Sequence, residues 1–186
     1  MMQKQRLAWA ITGSGHFLRE TIAFLAQLEE VDIFLSKAGA EIIRQYGFQP
    51  YLDATQHKVY LDKTASSVPV EMFYAGKYHT LVIAPATSNT IAKMAYGFSD
   101  SLITNLYAQA GKTQVQSIVF ACDTAAELES EAPRENTVKV YPRKIDLDNI
   151  KQLSTFEYTQ IVDDIQSLKQ LINNRLADVS QHVLTR

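Results

Sequence analysis

Short apolar runs alternate with segments of helical periodicity along most of this 186-residue sequence. Strands that alternate with helices in this way are typical of a parallel sheet covered by helices on both faces. The runs that predict strands cover residues 7–12, 31–35, 80–84, 115–121 and 138–145. We therefore expect a three-layer, doubly wound (Rossmann-like) α/β fold, formed by residues 1–186 as one domain.

The helical patterns between these runs cover residues 17–28, 38–46, 90–96 and 101–110. Residues 50–76 contain two prolines and a glycine and give no firm pattern. Apolar residues then recur at spacings of three or four from Ile161 to Val183. This stripe predicts a C-terminal amphipathic helix over residues 160–184, which packs on the domain or on a neighbouring subunit.

Composition narrows the class of protein. A formal net charge of -2 gives no reason to expect a nucleic-acid or anionic-membrane partner. Cys122 is the only cysteine, so an internal disulfide and a cysteine-rich zinc site are excluded. The four histidines lack metal-ligand spacing, and we predict no metal site. The apolar run at residues 7–12 is too short for a signal peptide or a membrane span, which favours a cytoplasmic protein.

Residues 13–15, Gly-Ser-Gly, separate the first predicted strand from the first helix. Ligands of open α/β sheets gather outside the carboxyl ends of the strands, where glycines allow close backbone approach and helix N-termini attract anions. Ser14 adds a hydroxyl donor, although a plain tight turn is the alternative. Phe17 and Leu18 stand where the third glycine of a dinucleotide fingerprint would be, so NAD is disfavoured.

Two further loops carry hydroxyl groups after predicted strands. Ser36 follows the second strand and suits a phosphate or a helix cap. Pro85 is expected to end the strand over residues 80–84, and three hydroxyls and an amide follow it within four residues. Such a cluster can bind phosphate or ribityl oxygens. The alternative is an N-cap, with Asn89 or Thr90 beginning the next helix.

The segment Pro-Ala-Thr-Ser-Asn-Thr at residues 85–90 resembles the Pro-Ala-Ser-Ala-Asn-Thr signature of the homo-oligomeric flavin-containing cysteine decarboxylase superfamily. Within that superfamily the chain is most similar to archaeoflavoproteins and acceptor-dependent dihydromethanopterin reductases. The segments that carry this likeness are residues 9–18, 36–39, 91–97, 100–105 and 143–146. The resemblance implies an FMN cofactor, a fold of the flavoprotein/decarboxylase type, and a homo-oligomer built from trimers with FMN at a subunit boundary.

The resemblance also implies which residues contact the cofactor. The expected FMN-binding residues are Gly13, Ser14, Gly15, Ser36, Pro85, Ala86, Thr87, Ser88, Asn89, Thr90, Cys122 and Asp123. The sequence departs from its relatives at Ala121, where they often carry proline. We therefore expect Cys122 to be a buried, unreactive thiol rather than a redox group.

Differences between this sequence and the decarboxylases of the superfamily bear on which reaction we expect. Decarboxylases of this group have a catalytic histidine in a His-Ile context before the 85–90 loop, whereas here residues 68–76 contain none and His79 follows them. Their later methionine-asparagine segment is also absent. These differences disfavour decarboxylation, and the resemblance implies an FMN-dependent oxidoreductase or electron carrier that reduces a dihydropterin-like substrate or exchanges electrons with a ferredoxin-like partner. A decarboxylase, a flavin prenyltransferase and a non-catalytic FMN-binding module are the alternatives.

His16 is the titratable candidate for a catalytic role beside the expected site. An imidazole titrates near physiological pH, so it can hydrogen-bond the flavin or relay a proton. The alternative is a structural histidine that is hydrogen-bonded to a nearby backbone carbonyl.

Overall fold

The computed structural model describes residues 5–63, 67–132 and 136–184. The strands are β1 (Arg6–Ile11), β2 (Val31–Leu35), β3 (Lys58–Leu61), β4 (Tyr78–Ala86), β5 (Gln116–Ala121), β6 (Leu128–Ala132), β7 (Asn136–Val140) and β8 (Thr159–Val162). The helices are α1 (Leu18–Leu25), α2 (Lys37–Gln45), α3 (Gln49–Ala54), α4 (Ser67–Tyr74), α5 (Ser88–Ala95), α6 (Leu102–Lys112), α7 (Lys144–Leu153) and α8 (Ile165–Leu184).

Six strands form one parallel sheet in the order β3-β2-β1-β4-β5-β8. Helices α1, α2, α3 and α8 pack their apolar side chains on one face, and α4 to α7 pack on the other. This arrangement confirms the three-layer, doubly wound fold. The chain runs outward from β1 to β3 and then returns to the centre to form β4. The strand order therefore reverses between β1 and β4, where such sheets open a crevice outside the strand ends.

The central strand β1 is buried on both faces. Its side chains alternate between the two layers, with Trp9 in one core and Ala8 and Ala10 in the other. Successive side chains of a strand point to opposite faces, so a strand covered on both sides reads as a continuous apolar run. The Trp9 indole N–H donates to the carbonyl oxygen of Ala84 at 3.0 Å, which ties β1 to β4.

A buried ion cluster lies at the opposite, amino-terminal edge of the sheet. The Asp32 carboxylate at the start of β2 accepts hydrogen bonds from Arg6 Nε at 2.8 Å, from Lys77 Nζ at 2.6 Å and from the Tyr78 hydroxyl at 2.7 Å. The carboxylate is 2% exposed, so these three partners replace the water that it loses on folding.

The strand predicted over residues 138–145 is correct only for residues 138–140, and these do not belong to the main sheet. β7 ends at Val140 and pairs with β6 in an antiparallel hairpin outside the main sheet, and α7 begins at Lys144. The Asp146 side chain caps the start of this helix: the Arg143 backbone N–H donates to Asp146 Oδ2 at 2.9 Å. Hydrogen bonding at the helix start thus overrides the apolar alternation of the preceding residues.

The predicted C-terminal helix begins five residues later than expected, at Ile165, because residues 159–162 form β8 beside β5. The apolar stripe is also largely internal, since Leu168 and Ile172 are fully buried in the core of the chain itself. The stripe therefore gives no argument for a neighbouring subunit. None of the helices among the described residues is long and apolar enough to cross a membrane.

Two other boundaries differ from the sequence prediction. α1 ends at Leu25, although the predicted stripe continued to Leu28. Pro85 does not end its strand: β4 continues to Ala86 through a cis Ala84–Pro85 peptide bond. Because β4 reaches Ala86, the next helix starts immediately beyond it.

Candidate functional site

The predicted site loops come together at the carboxyl edge of the sheet. They follow β2, β1, β4 and β5, which are four neighbouring strands. Thr12, which the sequence analysis overlooked, joins the two central loops across the switch point. Its hydroxyl donates to the Pro85 carbonyl at 2.8 Å and accepts from the Thr87 backbone N–H at 2.9 Å. A hydroxyl residue directly after a buried strand was the available signal.

The glycines of the first loop allow close contact with α2 and the residue after it. A Cβ atom at Gly13 would lie 2.5 Å from the Ala38 Cβ, and one at Gly15 would lie 1.9 Å from the Tyr46 hydroxyl oxygen. Within the described chain, no backbone N–H of residues 13–16 donates a hydrogen bond to another protein group. Consecutive N–H groups without a protein acceptor are available to an anionic ligand.

Helix α1 begins directly after this loop without a side-chain cap. Its N-cap residue is Phe17, which has a left-handed backbone with φ of 60°. The first turn therefore leaves N–H groups available to a ligand, and the positive end of the helix dipole favours an anion there.

Part of the hydrogen-bonding capacity of the loop after β4 is used to cap α5. Thr87 is the N-cap of α5, and its Oγ1 accepts from the Thr90 backbone N–H at 3.3 Å. The expectation that Asn89 or Thr90 is the cap was wrong. The Ser88 hydroxyl donates instead to the Asp123 carboxylate, which links this loop to the one after β5. Asn89 is exposed in the first turn of α5.

Ser36 is the N-cap of α2. Its Oγ accepts from the Gly39 backbone N–H at 2.9 Å, and its own N–H donates to the Ile11 carbonyl at 3.1 Å. The helix-cap interpretation of this serine is therefore correct. Its hydroxyl proton is still available to a ligand, since capping uses only the oxygen.

Cys122 is buried at the end of β5. Its backbone N–H donates to the Ala86 carbonyl at 3.2 Å, and burial raises the pKa of its thiol to about 12. A thiol must ionise to act as a nucleophile, so this side chain is suited to packing rather than to redox chemistry.

We expect Cys122 to resist alkylation in the folded protein at about pH 8, where almost none of the thiol is ionised. Iodoacetamide labelling followed by intact-mass measurement checks this. The same sample in denaturant should be labelled completely. Rapid labelling of the folded protein would show that the thiol is reactive.

His16 is half-buried between the loops after β1 and β5. Its ring contacts that of Phe17, with 3.8 Å between the centroids, and Phe17 in turn stacks on Phe120. Among the described residues, the buried Nδ1 atom has no hydrogen-bond partner, so the alternative of a structural bond to a backbone carbonyl is not found at this nitrogen. Burial lowers the pKa of His16, although nearby carboxylates oppose that effect.

His79 belongs to the other end of the molecule. It lies near the amino end of β4, with its Nδ1 atom 2.9 Å from the Thr80 hydroxyl oxygen. Burial and the charge of Arg175 lower its pKa to about 4. A neutral, buried histidine at the opposite edge of the sheet has no part in the candidate site.

The hairpin of β6 and β7 borders the site and was not predicted. The Tyr46 hydroxyl donates to the Glu131 carbonyl at 3.1 Å, which places the hairpin beside Gly15.

Comparison with known proteins identifies the family. The model of the family described as Flavoprotein matches residues 1–182. The chain belongs to the flavoprotein family. This confirms the resemblance that the sequence motifs indicated.

Two relatives of this flavoprotein are informative about chemistry. Dihydromethanopterin reductase (acceptor) of Methanosarcina mazei is 37% identical over 145 residues, which are 71% of this chain and 61% of that protein. The chain therefore spans about three fifths of that relative. DmrB of Burkholderia xenovorans, solved in complex with FMN and described as a cubic protein cage for redox transfer, is 47% identical with a TM-score of 0.88. That match covers 97% of this chain and 99% of DmrB.

The fold is shared more widely than the sequence. A phenylacrylic acid decarboxylase of Aquifex aeolicus has a TM-score of 0.62 at 22% identity, over 86% of this chain and 81% of that one. A likeness at this level of identity shows the fold alone.

Proposed function

We propose that this flavoprotein binds FMN at the carboxyl edge of its sheet and acts as an FMN-dependent oxidoreductase on a dihydropterin. The observation that carries the proposal is the set of free N–H groups at residues 13–16, placed beside the β1–β4 switch point. The 47% identity to an FMN-bound redox protein supports the cofactor, and the name of the Methanosarcina relative supports the substrate class.

The chemistry of the loops fits the parts of FMN. The free N–H groups of Gly13, Ser14 and Gly15 and the uncapped start of α1 suit a phosphate. Hydroxyl and amide side chains suit the ribityl chain, and small or apolar residues suit the flat ring. The residues that we assign to these two parts are Ser36, Pro85, Ala86, Thr87, Ser88, Asn89, Thr90, Cys122 and Asp123.

Bound FMN supplies the redox chemistry, and the protein supplies the binding geometry. Thr12 fixes the distance between the loops after β1 and β4, and Ser88 fixes the loop after β4 against Asp123. These bonds hold the site on the ends of rigid strands, which limits reorganisation when a ligand binds.

Anaerobic reduction of the FMN-loaded protein followed by addition of a dihydropterin tests this function. We expect the flavin to be reduced by a ferredoxin system or a reduced pyridine nucleotide and then to be re-oxidised by the dihydropterin. Release of carbon dioxide from a cysteinyl peptide, with no re-oxidation by the pterin, would favour the decarboxylase alternative. Retention of FMN with neither reaction would favour a non-catalytic binding module.

The site is expected to be completed by assembly of the chain with itself. Tyr96 and Phe98 follow α5 and are 66% and 61% exposed, and Tyr141 before α7 is 65% exposed. α5 and α7 are packed against each other, and α5 starts at the site loop. Exposed apolar side chains that cluster on one face of a protein are typical of an interaction surface. We therefore assign this face to a homo-oligomer, a trimer or a multiple of trimers.

Replacing Phe98 with lysine is expected to shift the protein toward the 20.9 kDa monomer, because a charge would be buried in the interface. Light scattering measures the mass. Leu61→Lys, at the far edge strand, is the control and should keep the wild-type mass. An unchanged mass for the Phe98 variant would remove this face from the interface.

A further inference from the structure

Three polar donors surround the sulfur of Met72 in α4, beside the Asp32 ion cluster. The Tyr78 hydroxyl oxygen lies 3.1 Å from the sulfur, Lys77 Nζ lies 3.5 Å from it, and the Tyr60 hydroxyl oxygen lies 3.6 Å from it. A thioether is only a weak acceptor, and methionine more commonly fills gaps in apolar cores. Three donors around one sulfur are therefore more than packing requires.

Two of these donors can serve an additional oxygen atom. The Lys77 ammonium has three protons, and its bond to Asp32 uses one of them. Among the described residues, the Tyr60 hydroxyl donates to no group other than the Met72 sulfur. The Tyr78 hydroxyl has a single proton, which its 2.7 Å bond to Asp32 already uses. Lys77 and Tyr60 are thus the donors that remain for a stronger acceptor at this position.

Met72 is also accessible to a small oxidant. Its side chain is partly exposed, whereas Met94 in α5 is 2% exposed and lies in an apolar core. Oxidation of a methionine in an apolar core disrupts packing, because the sulfoxide is polar. A sulfoxide oxygen on Met72 would meet donors instead, and the three rotatable bonds of the side chain allow it to turn toward them.

We propose that Met72 is a site of oxidation by hydrogen peroxide, and that Tyr60 and Lys77 donate hydrogen bonds to the sulfoxide oxygen. A lone pair of the sulfur attacks one peroxide oxygen, so that an S–O bond forms and the O–O bond breaks. The departing hydroxide takes the proton of the transferred oxygen and leaves as water. The sulfur loses two electrons and the peroxide gains them. This inference goes beyond the proposed function and does not depend on FMN binding.

Peptide mass spectrometry after treatment of the folded protein with hydrogen peroxide tests where oxidation occurs. We expect Met72 to be oxidised at least about tenfold faster than Met94, because Met94 is enclosed by apolar side chains. The two residues should react at similar rates in denaturant. Equal protection of Met72 and Met94 in the folded protein would remove this site.

Urea unfolding of the reduced and the oxidised protein tests the hydrogen bonds. Oxidation should lower the midpoint of Tyr60→Phe by about 0.3 M more than that of wild type, because phenylalanine offers no donor to the sulfoxide. Tyr74→Phe, whose hydroxyl donates to Gln109, is the control and should respond like wild type. Met72→Leu should keep its midpoint after peroxide treatment, which assigns the effect to this methionine. Equal losses in Tyr60→Phe and wild type would show that the donors do not bind the sulfoxide.

Discussion

Replacing Gly13 with valine is expected to lower the affinity for FMN at least about 100-fold. The Ala38 Cβ would lie 2.5 Å from a Cβ at this position, so the loop must move away from α2. Overpacking of this kind costs about 1–3 kcal/mol. The movement also displaces the free N–H groups of residues 13–16, and each hydrogen bond to a charged group contributes about 1.5–3 kcal/mol. Titration of the variant with FMN, followed by absorbance, measures the effect.

Gly111→Val provides the matched control for this variant. A Cβ at Gly111 in α6 would meet nothing within 4 Å, and this glycine is on a helix that is separate from the site loops. We expect it to bind FMN with wild-type affinity. Equal affinities for Gly13→Val and wild type would exclude the first loop from the phosphate site.

Replacing Asp32 with asparagine is expected to lower the free energy of unfolding by about 3 kcal/mol or more. The change removes the buried counter-charge of Arg6 and Lys77, of which Arg6 keeps its ion pair with Glu30 and Lys77 loses its carboxylate, and breaking a buried ion pair costs about 3–5 kcal/mol. Urea unfolding at a fixed protein concentration measures the difference. Asp163→Asn, at an exposed position, is the control and should change little. A loss below about 1 kcal/mol would show that the cluster behaves like a surface pair.

The same carboxylate predicts a pH dependence of stability. Burial by itself would raise the pKa of Asp32, but hydrogen bonds from Lys77 and Tyr78 and the charge of Arg6 outweigh it, and the pKa is lowered from its ordinary 3.8. A depressed pKa in the folded state contributes stability above the ordinary value, and that contribution is lost as pH falls from there through the lowered value. The stability of wild type should therefore fall more steeply with acid than that of Asp32→Asn.

The sequence predicted the centre of the fold better than its margins. Four strands, β1, β2, β4 and β5, are buried on both faces. Their sequences are therefore continuous apolar runs, without the spacing of three or four residues that an amphipathic helix shows. β7 is an exposed strand with little apolar content. The apolar residues of β8 match the spacing of the following helix, so periodicity alone extended α8 by five residues.

The candidate site was predictable as a set of loops but not as a set of contacts. Glycines and hydroxyls after buried strands indicated residues 13–15, 36 and 85–90. The cap of α5 was ambiguous because residues 87–90 are all Thr, Ser or Asn, and each of these residue types is a suitable N-cap. The role of Thr12 between two loops depends on strand order, and the unpartnered Nδ1 atom of His16 depends on burial. Neither can be read from spacing.

The flavin content of the purified protein tests the central claim most directly. The protein is incubated with FMN, separated from free cofactor by gel filtration, and assayed for visible absorption and released flavin. The account predicts a yellow protein with about one FMN per chain, bound at the switch point between β1 and β4. A folded protein that remains colourless after this treatment would contradict it.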